Sequence, residues 1–128
     1  MSSVFTLEPR EGYLYVHLEP GFELTPDSTA AVWTAICEGC QERGLRRALA
    51  VGDGVTRRLT TSETFDIARL AGSLLPGLSV ACLFRDYVPD QQSEFFRATA
   101  MSRGVRMEFF EELNAALQWL GAATRALD

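Results

Sequence analysis

Strand-like runs and capped helical segments alternate along this chain, and that alternation leaves few folds open. Val4 to Glu8 and Gly12 to Leu18 read as two strands, joined as a hairpin by the turn Pro9-Arg10-Glu11-Gly12. Thr25 reads as the N-cap of a first helix with Pro26 at its first position. That helix runs to Arg43, and Gly44 ends it. Arg47 to Val51 is a short apolar strand, followed by the loop Gly52-Asp53-Gly54-Val55-Thr56-Arg57-Arg58-Leu59. Thr60 or Thr61 caps a second helix, and Thr60-Thr61-Ser62-Glu63 has the Thr-x-x-Glu form of a capping box. This helix reaches about Leu75 and is stopped by Pro76-Gly77. Leu78 to Phe84 is the next strand, Arg85 to Asp90 a loop, and Gln91 to Arg103 a third helix. Gly104 turns the chain into a last strand, Val105 to Phe109 or Phe110, and Glu111 to about Leu127 closes as a helix. The predicted order is ββαβαβαβα. Successive βα units require parallel strands with right-handed crossovers. The expected class is therefore α/β, with a mostly parallel sheet and an N-terminal hairpin.

The strands also carry face information. Leu14, Val16 and Leu18 share one side of their strand, while Tyr13, Tyr15 and His17 share the other. Val105, Met107 and Phe109 oppose Arg106 and Glu108, and Phe5 and Leu7 oppose Thr6 and Glu8. Such alternation marks a sheet with one buried and one wetter face. Only Ala48 to Val51 and Val80 to Phe84 are continuously apolar. The helices are therefore expected mainly on one face.

A chain of 128 residues with 47% apolar content suffices for one domain, 1–128, with a core that needs neither metal nor disulfide. Cys37, Cys40 and Cys82 are read as free thiols. The net charge of −5 argues against nucleic acid as a partner. All twelve basic residues are Arg. That excludes a Schiff-base lysine, a Walker A lysine and the phosphate-binding lysine of a receiver domain. Met1-Ser2-Ser3-Val4-Phe5 has neither the basic nor the apolar region of a signal peptide, and no apolar run approaches ~20 residues. A cytoplasmic protein without membrane insertion is the expectation.

The closing third holds Phe95-Phe96-Arg97-Ala98, Arg103-Gly104-Val105, Phe109-Phe110 and Ala115-Ala116-Leu117-Gln118-Trp119-Leu120. In this order the chain resembles the SpoIIAA-like, or STAS, domain from about Gly12 to Leu120, and in particular its bacterial STAS/SEC14-like branch. The resemblance implies a right-handed βα superhelix and a binding or regulatory role. Anti-sigma-factor antagonists of this type carry a phosphorylatable Ser, in an Asp-Ser pair, at the start of the helix after the third strand. The matching stretch here is Leu59-Thr60-Thr61-Ser62-Glu63, which lacks that pair. Thr61 and Ser62 remain candidate phosphorylation sites by position. In the tail, Ala116, Leu117, Leu120 and Ala123 fall at helical spacing, and Trp119 beside them reads as a core anchor.

The loop after the third strand is the foremost candidate site. It leaves the carboxyl end of a strand and feeds a helix N-terminus, a place where open α/β sheets bind ligands and helix dipoles attract anions. Asp53, Thr56, Arg57, Arg58, Thr60, Thr61 and Ser62 lie there, and Arg85, Asp86 and Asp90 follow the next strand toward the same edge, where they can complete a cleft with Asp53. A protein or a small anionic ligand is the expected partner. Asp86 and Asp90 read equally well as turn and capping residues. Asp53, Asp86 and Asp90 are the only carboxylates offered for acid–base chemistry. No nucleophile motif accompanies them, so a non-catalytic module without cofactor or metal is expected. Cys37-Glu38-Gly39-Cys40 has C-x-x-C spacing, but it lies inside a helix on an apolar stripe with Val32, Trp33 and Ile36, and so reads as structural. Tyr13, Tyr15 and His17 form a candidate interface for a partner or a homodimer. The SEC14-like half of the resemblance supplies the alternative function, lipid or apolar-ligand binding, for which so short a chain leaves little room.

Overall fold

The hairpin forms between β1 (Phe5–Arg10) and β2 (Tyr13–Leu18), antiparallel from Phe5 opposite Leu18 to Arg10 opposite Tyr13. The turn is tighter than expected. Glu11 and Gly12 alone connect the strands, with Gly12 at φ 85°, and Pro9 and Arg10 belong to β1. Pro9 is tolerated because β1 is the outer strand, where a proline nitrogen can face away from the ladder. The computed structural model describes the backbone of residues 4–127 and the side chains of residues 4–121.

Helix α1 (Pro26–Arg43) starts and stops where its cap residues dictate. The Thr25 hydroxyl accepts from the Ser28 amide at 3.2 Å, and the Ser28 hydroxyl accepts from the Thr25 amide at 2.8 Å, so Ser does the work of the usual Glu. Gly44 ends the helix at φ 65°, a left-handed conformation that a Cβ disfavours. The remaining elements are β4 (Arg47–Asp53), α2 (Thr61–Leu74), β6 (Ser79–Arg85), α3 (Gln91–Ser102), β7 (Arg106–Phe110) and α4 (Leu113–Leu127). Two short strands, β3 (Glu23–Leu24) and β5 (Thr56–Arg57), pair parallel with each other outside the main sheet.

The main sheet has the order β1-β2-β4-β6-β7, with every pair parallel except the hairpin. Helices α1, α2 and α3 cover one face. Ile36 and Cys40 of α1, Ile67 and Ala71 of α2, and Phe96 of α3 pack there against Leu14, Val16, Ala50, Val80 and Cys82. Each large aliphatic side chain removed from water on this face contributes about 1.5–3 kcal/mol.

The opposite face departs from expectation. Helix α4 lies across it, and Ala116 and Leu120 bury against Leu49, Ala81 and Leu83. The expected wetter face is therefore dry over the central strands. Continuous apolarity of β4 and β6 is the sequence mark of this: they are covered on both sides. Because β7 is an edge strand, the chain leaving it is free to fold under the sheet. Trp119 packs half-buried at the border of this second core, 5.7 Å from the Phe110 ring, as an anchor of α4. The Ala123 side chain lies outside the described residues.

Candidate functional site

The sheet edge where β4 and β6 end gathers the expected residues but divides them. Asp53 and Arg85 are register partners, and their carboxylate and guanidinium stand 3.8 Å apart. Asp86 follows at φ 61°, a turn conformation that Asp tolerates. These three and Thr56 are exposed, and they line neither the cavity nor the groove described below. The loop expected over Gly52 to Leu59 is in part regular structure. β4 continues through Asp53, and Thr56 and Arg57 pair with Glu23 and Leu24. The Thr56 amide donates to the Phe22 carbonyl at 3.0 Å and the Arg58 amide to that of Leu24 at 2.8 Å, which fixes the direction of Arg57.

Arg57 is the centre of a polar cluster. Its Nη1 donates to Tyr87 Oη at 3.0 Å, Asp90 Oδ1 at 2.9 Å and Ser93 Oγ at 3.1 Å, while Nη2 donates to Asp90 Oδ2. Asp90 is also the N-cap of α3, accepting from the Ser93 amide at 3.0 Å. The Arg57 hydrogen bond, helped by the Ser93 amide, holds the Asp90 carboxyl well below its ordinary range. Tyr87 and Ser93 complete the ring of contacts at 2.6 Å, and Tyr87 stacks on Phe109 with ring centroids 5.4 Å apart.

Arg57, Tyr87 and Ser93 form part of the wall of a cavity of about 80 Å³ between the sheet and the three helices. The rest of the lining is largely apolar, with Trp33, Ile36, Val80, Cys82, Phe96 and Met107 prominent. Arg57, Leu59 and Gln92 line both this cavity and a surface groove of about 350 Å³ that includes Arg58, Thr60 and Glu63. The groove runs along the start of α2, where the Thr60 hydroxyl accepts from the Glu63 amide and the Glu63 carboxylate accepts from the Thr60 amide. Among the described residues, three buried side-chain oxygens lack a partner: Thr29 Oγ1, Ser79 Oγ and Gln92 Oε1. Two of them, on Thr29 and Gln92, belong to residues that line the cavity.

The cations of this edge are already matched. Arg57 is paired with Asp90, Arg58 with Glu23 at 3.3 Å, and Arg85 with Asp53. Thr61 and Ser62 are exposed on the first turn of α2, one and two positions past the cap. Tyr13 and Tyr15 are half-buried beside α4, with the Arg10 guanidinium 4.1 Å over the Tyr15 ring. His17 is exposed and stacks on Tyr15 with centroids 6.4 Å apart. Cys37 and Cys40 are buried in α1, and burial pushes both thiols up to about 11; Cys82 is pushed up to about 12 by the same cause. Such thiols are poor nucleophiles at neutral pH. Among the described residues no His, Cys, Asp and Glu side chains converge as a metal site, and no helix is long and apolar enough to cross a membrane.

Sequence reasoning found Arg57 through its charge beside a helix start, and missed Thr29, Tyr87, Gln92 and Ser93. The pattern Asp90-Gln91-Gln92-Ser93 signals only a helix cap, and no local signal marks Thr29. No protein-family model matches the chain, and no curated protein matches it in sequence.

Proposed function

We propose that this protein is a non-catalytic binding module of the SpoIIAA-like type, and that its ligand is a small molecule whose apolar body enters the cavity beside Arg57. The strand order β1-β2-β4-β6-β7, sequential apart from the two short strands, supports the βα superhelix that the resemblance implies. The observation that carries the binding reading is the cavity itself: an apolar space left open in a core, which shares Arg57, Leu59 and Gln92 with a neighbouring surface groove. Interiors are otherwise close-packed, and an unfilled space forfeits dispersion contacts that a ligand restores.

Size sets the ligand class. Pockets for drug-sized molecules take roughly 300–1,000 Å³. At about 80 Å³ the cavity suits a body of a few carbon atoms and not the acyl chains of a lipid. The anionic alternative is weaker, because the arginines at this edge already hold carboxylates. An enzyme reading is disfavoured by the same commitments: Asp53 is engaged by Arg85, and Asp90 by Arg57 and the α3 cap.

Methyl-labelled protein titrated with butan-1-ol tests this. Saturable shifts are expected at Leu24, Ile36 and Val80, which line the cavity, with Leu49 and Leu83 on the opposite face unmoved. Shifts that do not saturate, or that concentrate at Leu49 and Leu83, would refute it.

A second role is favoured by the exposure of Thr61 and Ser62 at the first turn of α2. A phosphoryl group there would meet the positive end of the helix dipole. Intact mass of the protein from its native host is expected to show an added phosphate that Ser62→Ala or Thr61→Ala removes. A single unmodified species under all growth conditions would contradict it.

A further inference from the structure

Among the described residues, two of the three buried side-chain oxygens without a partner, Thr29 Oγ1 and Gln92 Oε1, belong to residues that line one apolar cavity. Thr29 is 5% exposed, on the first turn of α1, and its Oγ1 makes no hydrogen bond. A threonine here ordinarily bonds back to the carbonyl four residues earlier, yet the Thr25 carbonyl receives the Thr29 amide at 2.9 Å and not the hydroxyl. Gln92 Oε1, on the first turn of α3, is likewise buried and unpartnered. Both residues line the same cavity, one from each flanking helix. Leaving such groups unpaired destabilises a protein, so together in one cavity they mark a place where a group from outside the chain, a ligand or the water it displaces, can bond.

The charge balance decides what kind of partner. Among the described residues Arg57 is the one cation in the cavity wall, and it already binds Asp90 through both of its terminal nitrogens. A carboxylate or phosphate entering the cavity would lose its hydration without gaining an uncompensated positive charge. A neutral group loses much less. A hydroxyl both donates and accepts, and so matches the Thr29 hydroxyl and either orientation of the Gln92 amide; a carboxamide does the same.

Building on the binding function proposed above, we infer that the ligand is a neutral short-chain molecule ending in a hydroxyl or carboxamide, bound by Thr29 and Gln92, with its apolar body against Trp33, Val80 and Phe96. Thr29 is then a recognition residue that the free protein holds at a cost in stability.

The test is a comparison of butan-1-ol, butyramide, butyrate and benzene on the full chain and on Thr29→Val and Thr29→Ser, by ligand-observed NMR, together with the melting temperature of each protein without ligand. Valine keeps the shape of threonine and removes the hydroxyl. Thr29→Val is expected to melt roughly 3–5 °C higher, as an unpaired buried group is lost. It should bind butan-1-ol and butyramide roughly three- to tenfold more weakly, with benzene unchanged, while Thr29→Ser retains butan-1-ol binding. Butyrate should bind the native chain more weakly than butan-1-ol. A lower melting temperature for Thr29→Val, an unchanged affinity for butan-1-ol, or tighter binding of butyrate would each overturn the inference while leaving an apolar site in place. If neither benzene nor butan-1-ol binds the native chain, the proposed function fails and takes this inference with it.

Discussion

The Arg57 guanidinium meets oxygens of Tyr87, Asp90 and Ser93 through one nitrogen and the second Asp90 oxygen through the other. A lysine, with a single point of charge, could not hold this fork. Because Asp90 is about half exposed, solvent screening keeps the pair's stabilising effect modest, and its clearest signature is in pH. The folded carboxyl lies below its ordinary 3.8, so the unfolded chain binds the proton more readily. The stabilisation is therefore complete above that value and is lost as pH falls through the lower, folded value. Urea unfolding of the native chain should show stability declining below about pH 4, and Asp90→Asn should show a flatter acid limb. Equal slopes would mean that Asp90 is not ion-paired. Asp90→Ala removes the cap as well and should cost about 1 kcal/mol at neutral pH.

At the level of elements, the helix boundaries follow from local chemistry. Thr60→Ala should lower stability by about 1 kcal/mol in urea unfolding, and Thr60→Ser should be nearly neutral, because either hydroxyl caps α2. Gly72 in α2 faces another constraint: a Cβ there would overlap the Arg103 side chain after α3. Gly72→Ala is expected to destabilise by about 1–3 kcal/mol despite the better helix propensity of alanine. The caps at Thr25, Thr60, Asp90 and Gly44 were legible because each depends on residues within one turn. The pairing of β3 with β5 was not, since two-residue strands carry no period and Glu23 meets Thr56 only in the folded chain. The candidate site divided the same way. Arg57 and Asp90 stood out at this edge by their charge, whereas Tyr87 and Ser93, which lie 30 and 36 residues from Arg57, carry no such mark.

For the molecule as a whole, the sheet separates two cores of unequal size. α1, α2 and α3 form the larger, and α4 alone closes the other. Alternation in β2 and β7 suggested a wet second face because those strands lie toward the sheet margins, where α4 does not fully cover them. Tyr15 and His17 show the result, the first half-buried and the second exposed. Leu120→Ala, at the centre of the α4 core, should destabilise by about 2–5 kcal/mol in urea unfolding while leaving butan-1-ol affinity unchanged, since the cavity lies across the sheet. The larger core is left incompletely filled, and a neutral ligand is proposed to fill it. Crystals of the native chain grown with butan-1-ol test this most directly. Density for the alcohol is expected between Trp33, Val80 and Phe96, with its oxygen within hydrogen-bonding distance of Thr29 Oγ1 or the Gln92 amide. A cavity closed by these side chains, with Thr29 and Gln92 bonded to protein atoms and no alcohol inside, would contradict it.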